Sequence, residues 1–179
     1  MQAQSIARCT GAALLATLLV GILVSVFVAH GIDINLSADI VATAQNMLDA
    51  ELRLRGKAYA MALLFALDAV IAVGFFLLLR EHNTFLATWA LVVSVAAMLL
   101  MLLGAVYALN AAHIAGNSAF ETLGTDAQRL MLAGLQATAD YTSFHLGLVI
   151  SSAAKAAFYF LFLRSRLLPP LLSAWGVFA

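Results

Sequence analysis

Four apolar runs long enough to cross a bilayer leave this chain few choices of fold. Residues 8–30, 58–79, 85–112 and 142–163 each supply about 20 or more largely apolar positions, and a helix rising about 1.5 Å per residue then covers roughly 30 Å of hydrocarbon. Within hydrocarbon every backbone N–H and C=O must find its partner inside the segment, so such runs fold as helices. Ordinary soluble domains are about 45–50% apolar and 25% charged. This 179-residue chain is 64% hydrophobic and 10% charged, with a mean hydropathy of +1.02. The expected fold is all-α, one polytopic transmembrane helix bundle over residues 1–179. It has four full spans, a partial or truncated fifth at 168–179, and two surface amphipathic helices. Pro169 and Pro170 suit the first turn of that fifth helix, where missing N–H groups do no harm.

The same composition excludes several classes of function. The net charge is zero and the basic residues form no stripe, so no nucleic-acid partner is expected. The single Cys9 permits neither an intramolecular disulfide nor a Cys-x-x-Cys site, and it precedes the first apolar run rather than following one, unlike a lipoprotein acceptor. That run exceeds the usual 7–15-residue core of a cleaved signal peptide and reads as a retained span. P-loop, Gly-x-Ser-x-Gly, His-Glu-x-x-His and Gly-x-Gly-x-x-Gly signatures are absent, which argues against the common hydrolases and nucleotide enzymes. Ser151 and Ser152 stand six and seven positions from His145, roughly 9–10 Å along a helix, too far for a nucleophile–base pair. His30, His113 and His145 fall toward one membrane side, yet none pair at i, i+3 or i+4, so neither a metal nor a cofactor is expected.

The two long connectors share a design. In residues 37–52, Ser37 can cap a helix whose apolar positions Ile40, Val41, Ala44, Met47, Leu48 and Leu52 follow the 3.6-residue period. In residues 125–138, Thr125 can cap a second, with Ala127, Leu130, Met131, Gly134 and Leu135 on one side. Both are expected at the membrane surface or over the helix ends. Span, amphipathic helix, span thus occurs twice, offset by about 84 residues (142 minus 58), the kind of organisational repeat found in transporters. Basic residues divide evenly between the two sides: Arg8, Arg80, Arg164 and Arg166 against Arg53, Arg55, Lys57 and Arg129. The shorter loops carry the first set, which favours a cytoplasmic N-terminus.

Two spans carry an ionisable residue near the middle, Asp68 in the second and Lys155 in the fourth. A charge at the bilayer centre costs about 2.5–3.5 kcal/mol on insertion scales, so it normally faces a partner, a cavity or a pathway. At about 100° per residue, Tyr141, His145, Ser151, Ser152 and Tyr159 fall within about 80° of Lys155. This polar face is expected to look inward, since hydroxyl and ammonium groups in lipid lack partners. Asp68 and Lys155 lie about one turn apart in depth, and lysine side chains lean toward the helix N-terminus, so an ion pair is geometrically easy. Three readings follow: a pair that fixes packing, a proton-coupling or transport site, or a lysine that snorkels to the surface. For Ser151 and Ser152 the plainer expectation is interhelical hydrogen bonding. Trp89, Tyr107 and Asn110 fit interfacial anchoring.

Several local patterns resemble a family of bacterial integral membrane proteins designated a domain of unknown function, DUF4386. The resemblance rests on Ala7-Arg8 followed by Gly11, and on Asp39, Ala42, Thr43, Ala44 and Asn46. It continues through Glu51, Arg55, Gly56 and Asp68 to Leu163-Arg164-Ser165 and Leu168-Pro169. It covers nearly the whole chain and implies a multi-pass protein of a bacterial inner membrane, with further helices after the fifth run. The third span departs from it: a charged residue is expected early in that span, where Thr88, Trp89 and Ser94 stand. The resemblance implies no activity. The expected function is therefore a non-catalytic subunit or scaffold in a larger membrane complex, with lipid and other membrane proteins or a second copy as partners. A small proton- or ion-coupled carrier is the alternative. Its site would comprise Asp68, Lys155, Ser151, Ser152, His145 and Tyr141.

Overall fold

The computed structural model describes residues 2–37, 39–116, 120, 122 and 124–178, with the side chains of Gln2, Asn35 and Ser37 outside that description. Helix α1 (Gln2–Leu23) continues as a π-helical turn, Val24–Ala29, followed by the short α2 (Ile34–Ser37) and by α3 (Ile40–Leu48). Then come α4 (Glu51–Leu79), α5 (Thr84–Gly116), α6 (Asp126–Ser165) and α7 (Pro170–Phe178). No strand occurs among the described residues. Four helical stretches, Ala3–Ala29, Glu51–Leu79, Thr84–Gly116 and Asp126–Ser165, are long and apolar enough to cross a membrane. Their large apolar side chains point outward in number, as at Leu15, Phe27, Val92 and Val149, an arrangement that water would penalise and lipid accommodates.

The boundaries differ from those expected, for identifiable reasons. The second span starts at Glu51 rather than 58: no proline intervenes, Gly56 is carried within the helix, and Glu51 accepts from Arg55 one turn on. The second connector and fourth span are one 40-residue helix, not two separated at 138–142. Ala139-Asp140-Tyr141 contains no breaker, and Asp140 is engaged elsewhere. Thr125 does cap that helix, through a reciprocal box in which its hydroxyl accepts from Gln128 N–H and Gln128 Oε1 accepts from Thr125 N–H. The first connector helix is capped by Asp39, whose carboxylate accepts from Ala42 N–H, rather than by Ser37, whose side chain lies outside the described residues. Asn83 caps α5 through Leu86 N–H. Arg166, at φ 56°, takes the left-handed turn that ends α6, and Pro170 opens α7.

The chain resolves into two compact units. One comprises Met1–Leu18, Phe65–Leu99 and Leu146–Ala179. Its core joins Leu79, Ala87, Ala90, Ala157, Phe158, Leu161 and Phe162. Phe75 meets Phe158 and Phe162 edge to face, at centroid distances of 5.5 and 5.0 Å. The other comprises Leu19–Leu64 and Leu100–His145, with Ile32, Ile34, Met47, Ala50, Leu54, Ala111, Ala112 and Ala137 at its centre. Alanine is the commonest residue in the buried set as a whole, as suits helices that associate in lipid through close backbone approach.

Candidate functional site

In the second unit the buried charged cluster is one that the sequence patterns do not single out. Lys57 sits on α4 with Leu54 and Ala58, on the buried side of the helix. Its Nζ lies 2.8 Å from Asp33 Oδ2 and 2.6 Å from Asp140 Oδ2. All three side chains are largely withdrawn from solvent, at 6%, 14% and 10% exposure. Asp140 belongs to the small-residue face of α6 that also buries Ala133 and Ala137. Gly104 on α5 makes room for it, since a Cβ there would collide with Asp140 Oδ1 and Met61 Cε. Ser143 Oγ donates to the Asp140 carbonyl at 3.0 Å. The cluster thereby ties the 30–33 loop to α4 and α6, with α5 supplying the notch.

A second set of polar contacts fastens the same loop. Arg53 donates from Nε and Nη2 to Val28 O at 3.1 and 2.9 Å, and from Nη2 to His30 O, satisfying carbonyls left open where the π turn ends. Gly31, at φ +78°, supplies the conformation that a turn requires here, and its carbonyl accepts from Asn46 Nδ2 at 2.9 Å. Both Lys57 and Arg53 enter a sequence reading only as loop charges. The signal for Lys57 was its phase, one residue before Ala58 and three after Leu54. For Asp140 it was the spacing of three from Ala137 and seven from Ala133.

The expected site residues are divided. Tyr141 and His145 fall in the second unit, where the two rings meet at a tilt of 36° with centroids 4.0 Å apart and His145 Nδ1 lies 2.9 Å from Tyr141 O. Asp68, Ser151, Ser152 and Lys155 fall in the first. Asp68 is within electrostatic range of Lys155, but no ion pair within 4 Å joins them. The expectation of an inward polar face also needs correction: Tyr141, His145, Ser152 and Lys155 are exposed on the single chain, with Ser151 partly covered. The buried side of α6 is instead set by Ala133, Ala137, Ala154, Ala157 and Phe158. The polar groups can tolerate exposure because Ser151 and Ser152 donate to Leu148 O and Val149 O of their own helix, at 3.0 and 2.7 Å. No group of three or more metal-ligating side chains occurs among the described residues.

In the first unit α6 and α7 enclose a groove of about 1030 Å³, lined by Ser151, Ser152, Lys155 and Tyr159 beside Leu148, Leu172 and Trp175. A smaller apolar groove of about 370 Å³ runs between α1 and α4 beside Thr10 and Gly74. Neither is lined by a member of the Lys57 cluster.

Four long apolar helices with many alanines buried between them define a multi-pass membrane helix bundle. Within that class the chain belongs to the family described as Domain of unknown function (DUF4386), whose model matches residues 9–179. No curated protein and no solved structure matches it.

Proposed function

We propose that this protein is a non-catalytic membrane subunit or scaffold that docks with other membrane proteins or with a second copy. The observation that carries the reading is the outward position of polar residues on α6. Tyr141, His145, Ser152 and Lys155 are exposed, whereas the buried ions Lys57, Asp33 and Asp140 are engaged with one another. A carrier needs its polar groups along an internal path; a docking subunit needs them where a neighbouring helix can cover them. The Lys57 cluster suits a scaffold as well, because it holds segments in fixed relation instead of offering a site. In this reading the protein sits in a bacterial inner membrane with its N-terminus in the cytoplasm. Residues 40–48 and the start of α6 lie at the membrane surface, and α7 is a partial fifth span.

The test is native mass spectrometry of the protein extracted from its own membrane in mild detergent, alongside an Asp68→Asn/Lys155→Met double variant and a Tyr141→Leu/His145→Leu variant. Docking predicts a stoichiometric assembly that the second variant disperses. A bare monomer would overturn the reading. The carrier alternative, built on Asp68, Lys155, Ser151 and Ser152, draws support from the groove beside Lys155. It predicts that the first variant loses solute uptake in vesicles while folding normally.

A further inference from the structure

Lys155 presents an ammonium group to a mainly apolar groove whose other polar lining is Ser151, Ser152 and Tyr159. It is exposed, and among the described residues it makes no ion pair within 4 Å. Asp68, which interacts with it electrostatically, does not line the groove. The hydroxyls of Ser151 and Ser152 are spent on helix carbonyls, so Lys155 is the charged donor that the groove offers. The opposite wall is α7, seated on Tyr159 at Gly176, where a Cβ would collide with the ring. Leu172 and Trp175 face the opening from that wall. The volume of about 1030 Å³ is at the upper end of the roughly 300–1,000 Å³ of small-molecule sites.

We propose that this groove binds a single-chain amphiphile ending in a carboxylate, with the carboxylate on Lys155 and the chain along Leu148, Leu172 and Trp175. Charge complementarity selects an anion, because an ammonium in apolar surroundings is costly unless a counter-charge joins it. Depth selects the carboxylate over a phospholipid head. Lys155 stands ten residues from the end of α6 at Ser165, about 15 Å along the axis. A phosphodiester brought there would carry the rest of its polar headgroup into the apolar region, whereas a carboxylate brings one charge and no further polar group. The occupant goes beyond the scaffold reading, since it requires no partner subunit.

Trp175 reports on the groove, and Trp89 is the other tryptophan of the chain. In a Trp89→Phe background, purified full-length protein in neutral detergent is titrated with dibrominated stearate, at a pH where the acid is ionised, and with the matching dibrominated alcohol. Bromine quenches tryptophan on contact. The acid is expected to quench Trp175 at about tenfold lower concentration than the alcohol, the equivalent of one ion contact. Lys155→Met should abolish that preference and Lys155→Arg should keep it. Equal quenching by acid and alcohol would overturn the proposal, as would a preference that survives Lys155→Met. Tighter quenching by a dibrominated phosphatidic acid than by the stearate would also overturn it, assigning the groove to a phosphate headgroup.

Discussion

Replacing Lys57 by Met keeps most of the side-chain volume and the apolar stem while removing the ammonium that two carboxylates share. That ammonium lies 2.8 Å from Asp33 and 2.6 Å from Asp140, and both attractions go with it. What remains is a pair of acids with little access to water. Removing one partner from a buried ion cluster costs about 3–5 kcal/mol, most of it the penalty for the charge left behind. The chain contains its own control. Arg55 contacts Glu51 at the same 2.8 Å, but their side chains are 38% and 42% exposed. Such an i,i+4 surface pair contributes only about 0.2–0.5 kcal/mol, further screened by salt. Reversible unfolding in mixed micelles with rising SDS, followed by circular dichroism, should therefore show Lys57→Met losing several times more stability than Arg55→Met. Adding Asp140→Asn to Lys57→Met should recover part of the loss, with a coupling of about 0.5–3 kcal/mol. Equal losses for Lys57→Met and Arg55→Met, or strict additivity in the double variant, would refute the claim that burial makes this cluster a clamp.

Gly104→Ala tests the notch that receives Asp140. Alanine gains up to about 1 kcal/mol of helix propensity, but the new Cβ must displace Asp140 Oδ1 and Met61 Cε, an overpacking cost of about 1–3 kcal/mol. Net destabilisation is expected in the same unfolding assay, and a stabilised variant would show that the notch is not needed. Arg53→Lys loses the fork that reaches Val28 O and His30 O. For hydrogen bonds this exposed, a loss of about 1 kcal/mol should speed hydrogen exchange across residues 28–34 about fivefold. Unchanged exchange there would remove Arg53 from the account of how the loop is held.

The resemblance drawn from short patterns such as Asp39, Ala42 to Ala44 and Asn46 agrees with the family whose model matches residues 9–179. Polar residues were harder to place. Asp68 and Lys155 stood out because they interrupt apolar runs, yet they do not touch. Lys57 counted only as a loop charge, and Asp33 and Asp140 drew no reading, because each lies near the end of an apolar run, where a charge is unremarkable. The inward turn expected for Tyr141, His145 and Ser152 rested on hydroxyls needing partners. Hydrogen bonds to the preceding helical turn supply them locally at His145 and Ser152, and that leaves the alanine face free to be buried.

The four membrane-length helices follow from the sequence alone, since the length and apolarity of a run settle whether its backbone can be satisfied in hydrocarbon without reference to any neighbour. The Thr125 cap was legible for the same reason, being written within four residues. Which side of each helix turns inward was decided only in the tertiary structure. In a chain apolar on nearly every side, hydrophobicity scarcely distinguishes core from exterior. The fit of small side chains at Ala133, Ala137 and Ala154, and the notch at Gly104, selects the packed face. That choice brings Lys57 between two acids and leaves Lys155 facing the groove.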